Sequence, residues 1–132
     1  MTLHDLFKTM GLDGSLAALN VGSTDPGADF QLLTAADVLI ASLQMSNPAF
    51  QPSTMQSNLA VAVSGSISPE TSPLNDVTIG KFRWQNRANT VIVEGTVSGP
   101  SGGGNLIIDD VVVPPDTTEI QFNQVVATAA YN

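Results

Sequence analysis

Residues 77–97 read VTIGKFRWQNRANTVIVEGTV, two runs rich in β-branched and aromatic residues on either side of Ala88-Asn89. A two-residue spacing of this kind closes hairpins. The spacing predicts that Val77 to Arg87 pairs with Thr90 to Val97, with Trp84 opposite Val93, Phe82 opposite Gly95 and Asn86 opposite Val91 on one side of the ribbon. Lys81, Arg83, Gln85 and Arg87 then share the other side with Thr90, Ile92, Glu94 and Thr96, and Arg83 lies across from Glu94. Alternation, turn length and charge pairing all agree on this register.

The alternation continues on both sides of the hairpin. From Ser57 onward Leu59, Val61, Val63 and Ile67 point one way, while the small residues Asn58, Ala60, Ala62, Ser64 and Ser66 point the other. Ser98 to Asn105 is a glycine-rich connector. After it, Leu106 to Val113 is expected to pair with Glu119 to Val126 across Pro114 to Thr118, with apolar residues on both faces. Such a hairpin must be covered twice, from within the chain or by a neighbouring subunit.

The first third reads differently. Thr2-Leu3-His4-Asp5 has the form of a capping box, and Leu3, Leu6, Phe7 and Met10 follow at helical spacing, with Gly11 as the stop. A short turn at Ser15 to Asn20 and a loop from Gly22 to Asp29 come next. Thr34-Ala35-Ala36-Asp37 repeats the capping pattern ahead of the stripe Ala36, Leu39, Ile40 and Leu43, so Ala35 to Met45 is expected to be helical, with a strand as the competing reading because Val38 and Ile40 also alternate. Ser46 to Gln56 contains Asn47-Pro48 and Gln51-Pro52 and reads as a loop or arm. The expected architecture is therefore one mainly β domain over 1–132, an antiparallel β-sandwich or barrel-like fold. Its parts are a helical lead at 1–45 with one or two short helices, a proline-containing loop at 46–56 and antiparallel strands at 57–132.

At 132 residues the chain has the size of one domain. It has no cysteine, which excludes disulfides, thiolate zinc sites and a cysteine nucleophile. Twelve acidic and four basic side chains leave a formal net charge of -8 at a charged fraction of only 12%. That balance disfavours nucleic acid and anionic membrane as partners. No apolar run has the length of a membrane helix, and no signal peptide opens the chain. An extracellular or particle-associated setting suits the Ser-, Thr- and Gly-rich composition.

The candidate site residues each have a plainer alternative. Lys81, Arg83 and Arg87 form a basic stripe that suits a phosphate, sulfate or carboxylate, although exposed strands carry such residues merely to discourage edge pairing. Trp84 suits sugar stacking but sits among Phe82, Val91 and Val93, where a core role is simpler. Tyr131 is the other stacking candidate. Asp109-Asp110 is the single adjacent carboxylate pair, and alternation sends the two side chains to opposite faces, against a paired acid–base role. Asp110, placed inward, would be either a perturbed functional carboxyl or a charge that protects an edge. Asp13, Asp25 and Asp29 lie in Gly-containing loops without the spacing of a calcium loop. His4 has no nucleophile motif to work with.

With no catalytic constellation, no metal site and no cofactor indicated, the expected function is a non-enzymatic structural or interaction module, self-assembling or bound to other protein subunits, of the surface, virion or fibre kind. That grouping rests on architecture alone. The alternatives are a carbohydrate-binding, lectin-like module using Trp84 or Tyr131, and a small hydrolase or isomerase using Asp110.

Overall fold

A computed structural model of the chain describes residues 11–57 and 59–129. The expected helix over residues 2–10, His4 and Tyr131 lie outside the described residues. Residues 11–17 are helical and tighten into a 3-10 turn at Ala18–Asn20. Gly11 is therefore part of a helix and not its stop; Ser15 Oγ donates back to Gly11 O at 3.0 Å. The expected short turn at Ser15 to Asn20 is the end of this segment. Among the described residues the strands are β1 (Asp29–Leu33), β2 (Leu39–Gln44), β3 (Thr54–Gln56), β4 (Leu59–Val63), β5 (Val77–Thr78), β6 (Lys81–Gln85), β7 (Val91–Ser98), β8 (Leu106–Ile107), β9 (Val112–Val113) and β10 (Val126–Ala129).

They form a five-stranded sheet of order β2-β1-β6-β7-β8, a three-stranded sheet β10-β4-β3 and the pair β5-β9. The fold is mainly β and sandwich-like, and no sheet closes into a barrel. All pairings are antiparallel except β7 with β8, which is parallel. In the large sheet, inward rows run Leu43–Phe30–Trp84–Val93 and Ala41–Leu32–Phe82–Gly95, and the outward row between them is Ser42–Gln31–Arg83–Glu94. The aromatic rings of Phe30, Phe50, Phe82 and Trp84 meet edge-on at centroid distances of 5.4–6.4 Å. That geometry sets the positive edge of one ring against the negative face of the next. Leu12, Leu16 and Leu19 of the helical segment, with Ala60 and Ala62 of β4, belong to the same core.

The β6–β7 hairpin has the predicted pairing over Lys81 to Trp84, including Trp84 with Val93 and Arg83 with Glu94, but reaches it by a different route. Its loop has three residues. Asn86 N–H donates to Thr90 O, Asn89 N–H donates to Asn86 O, and Asn89 has a positive φ of 61°. This is a turn followed by a left-handed residue. Gln85 consequently pairs with Val91, and a bulge between Trp84 and Gln85 restores the register. Turn length and bulge each shift the pairing by one residue, in opposite senses. Asn86 thus does not face Val91. Nor is Val77 to Arg87 one strand: β5 leaves at Thr78 to pair with β9.

The expected helix at Ala35 to Met45 is a turn followed by strand β2. Thr34 N–H donates to Val38 O, Asp37 N–H donates to Thr34 O, and Asp37 has φ 67°. This is the same turn that closes β6–β7. A threonine and an aspartate three residues apart satisfy a capping box and this hairpin turn equally well. The β-branched Val38 and Ile40, together with pairing to β1, decide for the strand.

β4 forms as expected, and its small-residue face is the one turned to the core: Ala60 and Ala62 are fully buried, whereas Val61 and Val63 are half-buried. Small side chains let β4 approach the aromatic core closely, and larger ones would not fit. The loop at 46–56 ends in β3, and Ala49 and Phe50 are buried in the core, so it is not a free arm. The expected hairpin between Leu106–Val113 and Glu119–Val126 does not form. β8 pairs with β7, β9 with β5, β10 with β4, and Ile120 bridges Glu70. A period of two identifies a strand but carries no address for its partner.

Candidate functional site

The outward face of the large sheet collects most of its polar side chains. Arg83 is placed across from Glu94 by register, yet turns the other way: its Nε donates to Gln31 Oε1 at 2.6 Å, and Gln31 Nε2 reaches Ser42 Oγ at 3.4 Å. Gln31 is buried, which makes it a fixed acceptor for the guanidinium. Lys81 Nζ pairs with Asp37 Oδ1 at 2.9 Å, the single ion pair among the described residues. Glu94 takes part in none. Leu33, Asp37, Lys81, Arg83, Glu94 and Thr96 line a hollow of about 570 Å³.

Two cations face two carboxylates across this hollow, so its charge is balanced. An anion entering it would have to displace Asp37 from Lys81 and pass Glu94. The third member of the expected basic stripe is elsewhere. Arg87 sits in the hairpin turn, where Nε donates to Asp25 O at 2.8 Å and Nη1 to Asn20 O at 3.5 Å, tying the 20–25 loop to the turn. The structure therefore brings Lys81 and Arg83 together and gives Arg87 a structural task. Asp37 and Thr96 complete the hollow from outside the stripe, and Gln31 holds its Arg83; the β1–β2 turn places Asp37, and the pairing of β1 with β6 places Gln31.

Trp84 is 7% exposed and packed edge-on against three phenylalanines, which rules out a sugar-stacking platform at this position. Its Nε1–H has no acceptor among the described residues. Asp110 is exposed, not inward, and its Oδ1 accepts the Val112 N–H at 2.9 Å in a local turn. Asp109 is exposed as well. The acid–base reading of Asp110 required an enclosed carboxyl, and this one is neither enclosed nor free.

Asp13 Oδ1 accepts the Ser53 N–H at 2.9 Å and joins the helical segment to the 46–56 loop. Asp29 titrates above its ordinary value, chiefly because burial disfavours its charged form and secondly because Asp25 is nearby. Among the described residues no three His, Asp or Glu side chains are grouped to hold a metal. No described helix is long and apolar enough to cross a membrane.

A second surface feature lies on the irregular stretch that follows β7. Ile79, Ile107, Val112, Ile120 and Phe122 wall a groove of about 460 Å³, with Asp109, Asp110 and Glu119 at its margin. Ile107 and Val112 are about half exposed. A neighbouring groove of about 400 Å³ shares Ile107, Ile108 and Phe122 and extends to Leu106 and Val126. The sequence showed these residues as apolar on both faces; the fold leaves one of those faces uncovered by the described residues. No protein-family model matches the chain, and neither curated proteins nor solved structures contain a significant match to it.

Proposed function

We propose that this chain is a non-enzymatic interaction module that associates with copies of itself. The observation that supports this reading is the pair of connected aliphatic grooves along residues 106–126, open to solvent and walled by isoleucine, valine and phenylalanine. Contiguous apolar surface of this kind marks sites of protein association. The low charged fraction supports it too, because few charges have to be desolvated or kept apart when copies meet. Sedimentation equilibrium of the full chain from micromolar to millimolar concentration tests it. Association is expected within that range, and a strict monomer throughout would sink the proposal.

A second reading is favoured by the hollow at Arg83. A guanidinium held by Gln31 and a Glu94 carboxylate with no ion-pair partner among the described residues stand beside the Lys81–Asp37 pair, donors and acceptors with no net charge, which suits a neutral polyhydroxyl ligand such as a saccharide. Trp84 has no part in it. A glycan array with wild type and Glu94→Ala separates the two readings: selective binding lost in the variant supports the saccharide, and an empty array leaves self-association alone.

A further inference from the structure

The two hairpins of the large sheet are copies of one another in backbone. Every residue of β6–β7 lies 52 positions after its counterpart in β1–β2, as Asn89 does after Asp37. The loops carry the same hydrogen bonds and left-handed residue, and the bulge falls at the same place, between Leu32 and Leu33 in one hairpin and their counterparts Trp84 and Gln85 in the other. Beyond the strands, Met45 N–H donates to Ala28 O at 2.7 Å, and its counterpart Val97 N–H donates to Gly80 O at 3.0 Å. The strands β1 and β6 pair so that Gln31 meets Arg83, its own counterpart. A two-fold axis relating the hairpins therefore passes through that pair. Side chains hide the relation: Phe30 and Phe82, Ala36 and Ala88, and Ile40 and Ile92 are identical, while most other positions differ.

Under this symmetry the outer edges of β2 and β7 are equivalent, but they are treated differently. On β2 the chain covers its own edge: Leu74 N–H donates to Ile40 O at 2.9 Å, Ser68 N–H donates to Gln44 O at 2.8 Å, and Ser42 N–H donates to Glu70 Oε2 at 3.1 Å. On β7 the equivalents are Ile92 O, Thr96 O and Glu94 N–H. Only the far end is closed, where Thr96 N–H donates to Asn105 Oδ1 at 3.1 Å and β8 begins beside Val97. No described residue takes Glu94 N–H or Ile92 O. The bulge does not explain the vacancy, since the same bulge on β2 does not keep Leu74 from Ile40.

We infer that the open edge of β7 around Val93 is the junction between two copies of this chain, joined antiparallel about a two-fold axis at Val93. This inference rests on the self-association proposed above and names its geometry. The Ile92 C=O and the Glu94 N–H face this edge, as those of their counterparts Ile40 and Ser42 do on β2. In that arrangement Glu94 N–H of each copy donates to Ile92 O of the other. One edge thus satisfies itself, as an isologous contact must. Val93, 36% exposed at the end of the Leu43–Phe30–Trp84 row, is covered by its own mate. The chain already contains one such junction, β1 against β6 about Gln31–Arg83. The two Glu94 carboxylates fall on one diagonal, about 7–8 Å between backbone positions, and weaken the contact by repulsion.

Two substitutions at one position test the geometry in opposite directions. Glu94→Gln keeps the N–H and removes the repulsion, so it is expected to lower the dimer Kd about two- to five-fold. Glu94→Pro removes an N–H that faces solvent in the monomer, where an edge strand tolerates proline, and is expected to raise Kd about ten-fold or more. Near-UV circular dichroism of Trp84 reports whether the variants keep the fold. Hydrogen exchange at the Glu94 amide of the wild type supplies a test that needs no variant: its protection should rise with protein concentration. A Glu94→Pro protein that dimerises like wild type, a Glu94→Gln protein that does so more weakly, or a Glu94 amide indifferent to concentration while association proceeds would each overturn the β7 junction and leave self-association standing on the grooves. A wild type that stays monomeric would overturn both.

Discussion

Replacing Asn86 by alanine is the sharpest test of the hairpin turn. Asn86 is buried, and its Oδ1 accepts two backbone N–H groups, from Ala88 at 2.9 Å and Thr90 at 3.0 Å. Alanine removes both acceptors. At about 0.5–1.5 kcal/mol per hydrogen bond, the loss lies between about 1 and 3 kcal/mol. Ala88 and Thr90 are exposed, so water can replace the lost acceptor in part, which places the cost near the lower middle, about 1.5 kcal/mol. For a chain of this length that corresponds to a fall in Tm of about 6 °C. The β1–β2 turn provides the comparison, because there the side chain accepts only one N–H, from Val38 to Thr34 Oγ1 at 3.1 Å. Thr34→Ala should therefore lower Tm by about half as much, about 3 °C. Asn86→Asp keeps the acceptor and should melt close to wild type. Thermal unfolding followed by Trp84 fluorescence reads all three, two residues from the substituted position. An Asn86→Ala protein that melts within a degree or so of wild type, or a Thr34→Ala protein that loses more than it, would refute the reasoning.

The buried alanine face of β4 predicts that Ala62→Leu, which overfills a fully buried site, costs about 1–3 kcal/mol, whereas Val63→Ala, at a half-buried position, costs about 1 kcal/mol or less; urea midpoints in the reverse order would put the valine face in the core instead. Trp84→Ala should cost about 3–5 kcal/mol by opening a cavity among Phe30, Phe50 and Phe82, and a variant as stable as wild type would mean that the indole lies outside the core. Asp29, with its carboxyl raised by burial and then by Asp25, favours folding when protonated; that contribution is complete below the ordinary carboxylate value and is lost as pH rises through the raised one. Asp29→Asn should therefore raise Tm at about pH 7 and lose its advantage at about pH 3, and a gain confined to acid would contradict the sign.

Much of the candidate site was visible along the chain, but not its composition. Lys81, Arg83 and Glu94 alternate on one strand pair, and alternation alone places them on one face. It does not place Gln31 and Asp37, because their nearness depends on β1 lying beside β6 and on a turn that reads as a helix cap. A two-residue loop would keep Arg87 in the stripe, and the three-residue loop takes it away. Trp84 illustrates the converse: its neighbours in the predicted hairpin, Phe82 and Val93, already implied burial, and the fold adds Phe30 and Phe50 from distant segments. The C-terminal stretch was recognisably apolar on both faces, while its partners, β7, β5 and β4, lie scattered over the chain.

The amino-acid sequence by itself determined the class of this protein: a mainly β chain without cysteine, sparsely charged, with a hairpin whose central register follows from alternation and local turn chemistry. These are interactions between residues a few positions apart, and short-range physics suffices for them. Tertiary structure alone decided that Thr34 to Gln44 turns and extends instead of coiling, that alanines and not valines of β4 face the core, and that the last three strands join three different partners. Each of those outcomes depends on which surface is available to pack against, and that surface is assembled from the whole chain at once. The open edge of β7 belongs to the same category. Its donors and acceptors exist in every strand, and only the covered edge of β2, its structural twin, shows that this one is left unfilled.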